Sequence, residues 1–401
     1  MALPWMRHMQ ARSADEQHRA ATPLELFFDL CFVVAVAQAA SSLHHGVTAG
    51  HLSDEFTRYP LVFFAVWWAW MNFTWFSSAY DTDDVVYRLA TLTQIAGVLI
   101  LAAGIPRAFD EADFGVVTLG YAVMRTALIG QWLRAAGSDP DRRPTDVRYA
   151  VGVGVCMVGW ILLLFLPDGP RALGFLVMIA AELAVPVWAE RPAVTPWHPR
   201  HIAERYGLFT LIVLGETVLA ATIAVQAALD AGEALGQLAA VAVGGLLIVF
   251  SMWWLYFSQP ADAVVGRARM AFDEAASSEP FIWGYGHYFV FASAAAVGAG
   301  LAAVVDQVTQ HAAVSARGAL MAVAVPVALF VLSVWVLHHR TVRSTRLVDA
   351  AYPASAALVV LAAWLAAPVW VVGLILVVLV SVTTASIRSL IDPGHDPRSA
   401  Q

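Results

Sequence analysis

Long apolar stretches recur along the whole chain, and they limit the folds open to it more than any other feature. Each runs for about 18 to 25 residues, enough for an α-helix to cross the roughly 30 Å hydrocarbon core of a bilayer. Of the 401 residues, 60% are hydrophobic and only 13% are charged, and the mean hydropathy is +0.68. Too few polar residues remain to cover a soluble enzyme of this size. The sequence therefore predicts an all-α, polytopic membrane protein.

The apolar stretches predict about twelve transmembrane helices. They are expected at residues 25–42, 60–79, 88–105, 113–135, 148–166, 171–189, 204–227, 235–258, 280–303, 317–338, 353–367 and 368–388. Arginine positions predict the orientation, because positive residues accumulate in cytoplasmic loops. All 23 basic residues are Arg, and with the N-terminus inside, 18 fall in cytoplasmic segments against 4 in the opposite loops. Both termini are therefore expected in the cytoplasm.

Two segments resemble each other at a spacing of 181 residues, namely 71–81 and 252–262. Their shared positions are Met71/Met252, Phe76/Phe257, Ser77/Ser258 and Asp81/Asp262. A duplication at this spacing predicts two six-helix repeats of the same membrane orientation. The expected organisation is a cytoplasmic tail (1–24), a first repeat (25–190), a cytoplasmic linker (191–203), a second repeat (204–388) and a cytoplasmic tail (389–401).

Carboxylates inside the apolar segments are the first candidates for function, since charged groups in a bilayer are costly and usually face the helix bundle. Glu25 and Asp29 are four residues apart and so lie on one face of the first helix. They repel each other unless a proton, a cation or an Arg is shared, which predicts a proton or cation site. The alternative is that Glu25 lies among headgroups and only Asp29 is buried, paired with an Arg.

The start of the seventh segment carries the densest group of polar residues. His198, His201 and Glu204 recur every three residues, a spacing that weakly suggests metal ligands, although Pro199 interrupts the pattern. The alternative is an interfacial helix start with these side chains among headgroups. Glu216 lies twelve residues further, about 18 Å deeper along a helix, near the middle of the membrane.

Arg125 lies in the middle of the fourth segment and requires a carboxylate partner at that depth. We expect Glu216 or Asp29 to supply it, with Glu182 as the third candidate. Such a pair either holds two helices together or is exchanged during transport.

A cytoplasmic acidic loop follows the second segment and consists of Asp81, Asp83 and Asp84, with Arg88 shortly after. Its carboxylates either hold a divalent cation or cap the third helix, with Asp84 and Arg88 forming an exposed pair. His287 in the ninth segment is either a proton-handling group or a buried His satisfied by a neighbour.

Composition limits the partners. The formal net charge of −7 argues against nucleic acid, and the two Cys residues are too few for a disulfide framework or a Cys-based zinc site. No nucleotide loop or haem motif is present, so no cofactor is expected. The expected partners are the lipid bilayer and a small ion or small-molecule substrate, and a homo-oligomer stays open.

Three stretches, at residues 24–38, 81–89 and 204–216, resemble the signature segments of the bacterial low temperature requirement protein A family. The resemblance covers nearly all of residues 20–390. It implies a multi-pass protein of the bacterial plasma (inner) membrane, linked by name to growth in the cold. The family pattern falls on Glu25, Asp29, Asp81, Asp83, Asp84, Arg88, Glu204, Arg205 and Glu216.

The first helix is also similar, more weakly, to the Phe-Ser-Asp helix of the endolysosomal and bacterial potassium/proton channel family. The shared pattern is E-x-F-F-D-x-x-F-x-x-A, from Glu25 to Ala35. Here Phe28 replaces the Ser of that family, and Leu24 stands where its Arg is expected. This similarity implies ion permeation.

Two classes of function fit these residues. In the preferred one, a proton- or cation-coupled transporter or channel has a polar path between the two repeats, lined by Asp29, Arg125, Glu204 and Glu216. In the alternative, a membrane enzyme or lipid-handling protein uses Glu204 and His201 as acid and base on a membrane-soluble substrate. A purely structural role in cold-adapted membranes is a third reading.

Overall fold

A computed structural model describes residues 4–12, 20–230, 232, 235–258, 279–339 and 345–391. These described residues form twelve α-helices and no β-strand. The helices are α1 (Pro23–Thr48), α2 (Leu52–Tyr80), α3 (Val85–Asp110), α4 (Gly115–Ser138), α5 (Arg143–Leu163), α6 (Asp168–Ala189), α7 (Pro199–Asp230), α8 (Leu235–Phe257), α9 (Glu279–Val308), α10 (Ala316–Val334), α11 (Arg346–Trp364) and α12 (Val369–Ile391). A short π-helix (Trp335–His339) continues α10. The predicted all-α fold is confirmed.

Eleven of these described helices are long and apolar enough to cross a membrane, which confirms the polytopic architecture. The exception is α2, which corresponds to the second predicted segment. Its apolar half contains Trp67, Trp68, Trp70 and Trp75 together with Asn72, and these residues lower its mean hydropathy. Indole rings and one amide are compatible with burial between helices when their N–H groups find acceptors.

Local sequence signals fix where several helices begin. Asp84 caps α3, since its carboxylate accepts a hydrogen bond from the Tyr87 N–H. Thr22 and Glu25 form a capping box at the start of α1, with Pro23 as the first helical residue. Asp84 of the acidic loop is therefore a helix cap, as the capping alternative expected.

The chain divides into two compact units. The first unit contains the described residues of Met1–Ala39 and Arg58–Arg205, and the second those of Ala40–Thr57 and Tyr206–Gln401. The predicted repeat stays a prediction. Asp262 and the tail segments 13–19 and 392–401, on which part of the sequence argument relied, lie outside the described residues.

Within each unit, consecutive helices pack closely. In the first unit α3, α4, α5 and α6 pack in chain order, and in the second unit α9, α10, α11 and α12 do the same. Glycines allow the closest approaches. A Cβ on Gly97 of α3 would lie 2.7 Å from the Gly120 carbonyl oxygen of α4, and a Cβ on Gly244 of α8 would lie 2.6 Å from the Trp370 nitrogen of α12.

Candidate functional site

The centre of the candidate site is a buried ion pair in the first unit. Arg205 donates two parallel hydrogen bonds to Asp29, from Nε at 2.9 Å and from Nη2 at 2.6 Å. Both side chains are completely buried. A bidentate, charge-assisted pair of this kind is the strongest polar contact that two side chains make. Asp29 therefore has an Arg partner, as one of the two sequence-based alternatives expected.

A second carboxylate belongs to the same cluster. Glu25 lies one helical turn before Asp29, and its Oε1 is 3.2 Å from Arg205 Nη1 and 3.2 Å from His201 Nε2. Its Oε2 accepts the Thr22 N–H of the capping box at 2.8 Å. Glu25 is 1% exposed, so its carboxylate is buried between helices together with that of Asp29. We call Glu25, Asp29, His201 and Arg205 the Arg205 cluster.

Helix α2 supplies the polar surroundings of this cluster from one face. The indole N–H of Trp70 donates to Asp29 at 2.7 Å. One and two turns later, the hydroxyls of Thr74 and Ser77 accept from Arg205 at 3.4 and 3.3 Å. Residues spaced by four and three positions share a helix face, so α2 presents a polar stripe in an otherwise apolar segment.

The second buried ion pair of the first unit joins Arg125 to Glu182 at 3.0 Å. The sequence-based ranking, which favoured Glu216 or Asp29, was wrong, because the order in which α4, α5 and α6 pack brings α6 to Arg125. Glu182 also accepts the indole N–H groups of Trp68 at 2.8 Å and Trp160 at 2.9 Å. Tyr121, Arg125, Glu182 and these two Trp residues are called the Arg125 cluster below.

The residues proposed as weak metal ligands point to different partners. His198 Nδ1 accepts the His201 backbone N–H, and the His201 ring contacts Glu25 instead. The Glu204 side chain is exposed and accepts the Ala21 N–H at 3.3 Å. In the described parts of the chain, no three His, Cys, Asp or Glu side chains come together as a metal site.

The acidic loop is held by arginines, but not in the predicted pairing. Arg88 pairs with Asp83 through two hydrogen bonds of 2.7 and 2.9 Å, whereas an Asp84–Arg88 pair was expected. Asp84 is directed inward because it caps α3, and there it binds the Arg134 guanidinium. Burial raises the pKa of Asp84, but its hydrogen bonds from Arg134 and from two backbone N–H groups outweigh burial and hold this pKa below its ordinary value. Asp81 contacts Arg12 at 3.7 Å.

The remaining predicted residues lie in the second unit. Glu216 is half-buried on α7 and has no hydrogen-bond or ion-pair partner among the described residues. His287 is fully buried, with Nδ1 2.7 Å from the Trp283 carbonyl and Nε2 3.1 Å from the Tyr256 hydroxyl. The Nδ1–H donates to the carbonyl, and Nε2 shares a hydrogen bond with the hydroxyl, so both ring nitrogens are satisfied. These contacts favour the satisfied-neighbour alternative for His287.

Two features were missed by reasoning from sequence. The first is that Trp68 and Trp70 of α2 donate to buried carboxylates, and their position far from the helix ends is the signal that could have found them. The second feature is a pair of carboxylates, Asp139 and Asp146, whose oxygens lie 3.2 Å from the hydroxyl of fully buried Tyr80. Nothing in the local sequence indicates that this Tyr meets them.

Comparison with known proteins gives two matches. A family model described as "Bacterial low temperature requirement A protein (LtrA)" matches residues 20–384. The chain is also similar to "Uncharacterized protein RA0937" of Rhizobium meliloti (strain 1021), with 28% identity over 290 residues, or 70% of this chain and 68% of that protein. No solved structure matches. The family expected from the three sequence stretches is confirmed, and both buried clusters lie inside the matched range.

Proposed function

The chain belongs to the bacterial low temperature requirement A protein family, and we propose that it is a proton- or cation-coupled transporter or channel that binds the transported charge at the Arg205 cluster. The observation that carries this proposal is the charge count of that cluster. Its two carboxylates, Glu25 and Asp29, contact the same guanidinium, and Glu25 also lies 3.2 Å from the His201 ring. Two carboxylates this close to one guanidinium repel each other when both are ionised, so the cluster favours uptake of a proton or cation.

A proton is the positive charge that fits the contacts best. Asp29 is held by two Arg205 nitrogens and by Trp70, so its oxygens are well satisfied as an ionised carboxylate. Glu25 contacts Arg205 and faces the His201 ring, whose imidazole nitrogen can carry a proton. The proton is therefore shared between Glu25 and His201, while Asp29 and Arg205 form the permanent pair.

The position of the cluster suits exchange with water. Glu25 belongs to the first turn of α1, close to where the helix leaves the membrane, and Asp29 is about 6 Å deeper along the helix. A proton that enters at Glu25 therefore needs only a short path. In this proposal the protein lies in the plasma membrane of a bacterium with both termini in the cytoplasm, as the Arg distribution predicts.

Flux measurements in proteoliposomes test this function. The purified protein is exposed to imposed pH and potassium gradients, alongside the variants Asp29→Asn and Glu25→Gln. We expect both variants to lose flux, because each removes one of the two carboxylates whose repulsion favours uptake of a proton. Asp83→Asn is the matched control, since it neutralises an exposed carboxylate of the first unit that pairs with Arg88, and it should keep native flux.

A further variant, Glu216→Gln, extends the test to the second unit, where this half-buried carboxylate has no partner in the described part of the chain. Loss of flux would add Glu216 to the path, and native flux would confine the path to the Arg205 cluster. Native protein that gives no flux above empty liposomes, with all variants folded, contradicts the proposal.

A further inference from the structure

Helices α3 and α4 of the first unit enclose an open groove with a volume of about 590 Å³. Its walls are mostly small apolar or hydroxyl side chains, including Ala90 and Thr93 of α3 and Ala122 and Ala127 of α4. The groove is separate from both buried clusters, because no ionic side chain of either cluster lines it. Its chemistry is therefore not explained by the proposed transport site.

One end of the groove carries two buried donors without an acceptor. Gln131 is 3% exposed, and its amide oxygen accepts from Gln94 at 2.7 Å, but its Nε2 has no partner among the described residues. Three residues later, the Arg134 side chain is 8% exposed and uses both terminal nitrogens, yet its Nε also has none there. A buried donor left unsatisfied costs about 1–3 kcal/mol, so two of them on one groove indicate an absent acceptor.

The other end of the groove is apolar. The length of the whole groove matches half of a bilayer. From Ala122 to Arg134, α4 rises about 18 Å, against about 15 Å for one leaflet of the hydrocarbon core. The donor end lies beside the Asp84 cap, where the chain leaves the helices for a loop. A molecule that fits has acceptor oxygens at the membrane surface and a hydrocarbon chain below them.

We propose that this groove is a binding site for one membrane phospholipid, with its phosphate or ester oxygens on Gln131 Nε2 and Arg134 Nε and an acyl chain along α4. Asp84 already balances the charge of Arg134, so the site selects for acceptor oxygens and not for a strongly anionic headgroup. Free phosphate would satisfy the two donors but would leave the apolar end of the groove empty. An experiment can therefore distinguish a bound phospholipid from a bound phosphate ion.

Two glycines of α4 provide a matched pair of variants. A Cβ on Gly130, which lines the groove, meets nothing within 4 Å, so Gly130→Leu starts its side chain in open space beside the groove. A Cβ on Gly137 also meets nothing, but Gly137 does not line the groove. Both changes replace an exposed glycine of α4 by leucine, and each raises the helix propensity at its position.

The experiment uses delipidated full-length protein in detergent, titrated with phosphatidylethanolamine or phosphatidylglycerol and followed by native mass spectrometry and thermal unfolding. Native protein and Gly137→Leu are expected to bind one lipid tightly and to gain thermal stability on titration. Gly130→Leu should neither bind this lipid nor gain thermal stability. If Gly130→Leu does not fold, Ala127→Leu fills the same groove one turn away.

Two results overturn the proposal. One is a filled-groove variant that retains the same lipid count and stability gain as native protein, which means that the lipid binds elsewhere. The other is an equal stability gain from inorganic phosphate alone, which identifies a free-anion site. None of these readouts depends on flux, so failure here and failure of the proposed function are distinguishable.

Discussion

The Arg125 and Arg205 clusters both bury an ion pair in the first unit, yet they differ in charge balance. In the Arg125 cluster one carboxylate, Glu182, meets one guanidinium and two indole N–H groups, so the charges cancel and Glu182 is satisfied. In the Arg205 cluster a second carboxylate, Glu25, competes for the same guanidinium. A single carboxylate on one guanidinium serves as a fixed link between helices, whereas two carboxylates on one guanidinium repel each other when both are ionised.

The largest expected effect comes from unbalancing the Arg125 cluster. Glu182→Leu leaves Arg125 buried without its carboxylate, and removing one partner of a buried pair costs about 3–5 kcal/mol. Replacing both, as Arg125→Met with Glu182→Leu, should restore part of that stability, because no buried charge is left. The indole N–H groups of Trp68 and Trp160 lose their Glu182 acceptor in both variants. Unfolding midpoints in mild detergent measure both variants. A single variant as stable as the double one would show that Arg125 finds another partner.

The next effect concerns Asp84, which repeats the balanced arrangement outside the membrane. Asp84→Ala removes the cap of α3, a change that costs about 0.5–2 kcal/mol, and also frees the Arg134 guanidinium. Because the pKa of folded Asp84 lies below its ordinary value of 3.8, its stabilising contribution is complete above that pH and is lost on further acidification. The free energies of unfolding of native protein and variant should therefore converge as the pH falls. A constant difference between them at all pH values would contradict this.

Sequence reasoning succeeded where a local pattern determines the outcome. The apolar stretches predicted the helices, and Asp84 was recognised as a candidate cap because the capping group and its N–H are three residues apart. It failed at Arg125, because the choice between Glu182, Asp29 and Glu216 depends on which helices become neighbours. Arg205 and Asp29 are 176 residues apart, and no local pattern joins them. The family pattern named both residues but not their contact.

A smaller stability effect is expected from the unbalanced cluster. Glu25→Gln leaves Asp29 and Arg205 as a balanced pair, and Gln also serves in a capping box, so the free energy of unfolding should change by less than about 1 kcal/mol. The contrast with Glu182→Leu is the sharpest test of the comparison. Equal losses of stability in the two variants, measured by the same unfolding assay, would refute the difference in charge balance.

The smallest effect is a change in how the stability of the protein depends on pH, and it involves Glu190. This carboxylate follows the end of α6, outside the predicted spans. Its described partners are the hydroxyls of Tyr149 and Thr195, with no cation, so it resembles the excess carboxylate of the Arg205 cluster. Burial raises the pKa of Glu190 to about 7, against 4.5 for an ordinary Glu. Folded protein therefore binds more protons than unfolded protein between these values, and its stability falls as the pH rises through them.

Glu190→Gln should flatten this slope, which is opposite in sign to the one that Asp84 produces. Unfolding midpoints measured from about pH 4 to pH 8 compare the variant with native protein. The two slopes differ in sign for the same reason that the Arg125 and Arg205 clusters differ. A carboxylate with its own Arg stabilises the fold when ionised, whereas one without a cation destabilises it and retains its proton. An unchanged slope in Glu190→Gln would mean that ionised Glu190 is already compensated, and charge counting would then be too crude for the Arg205 cluster as well.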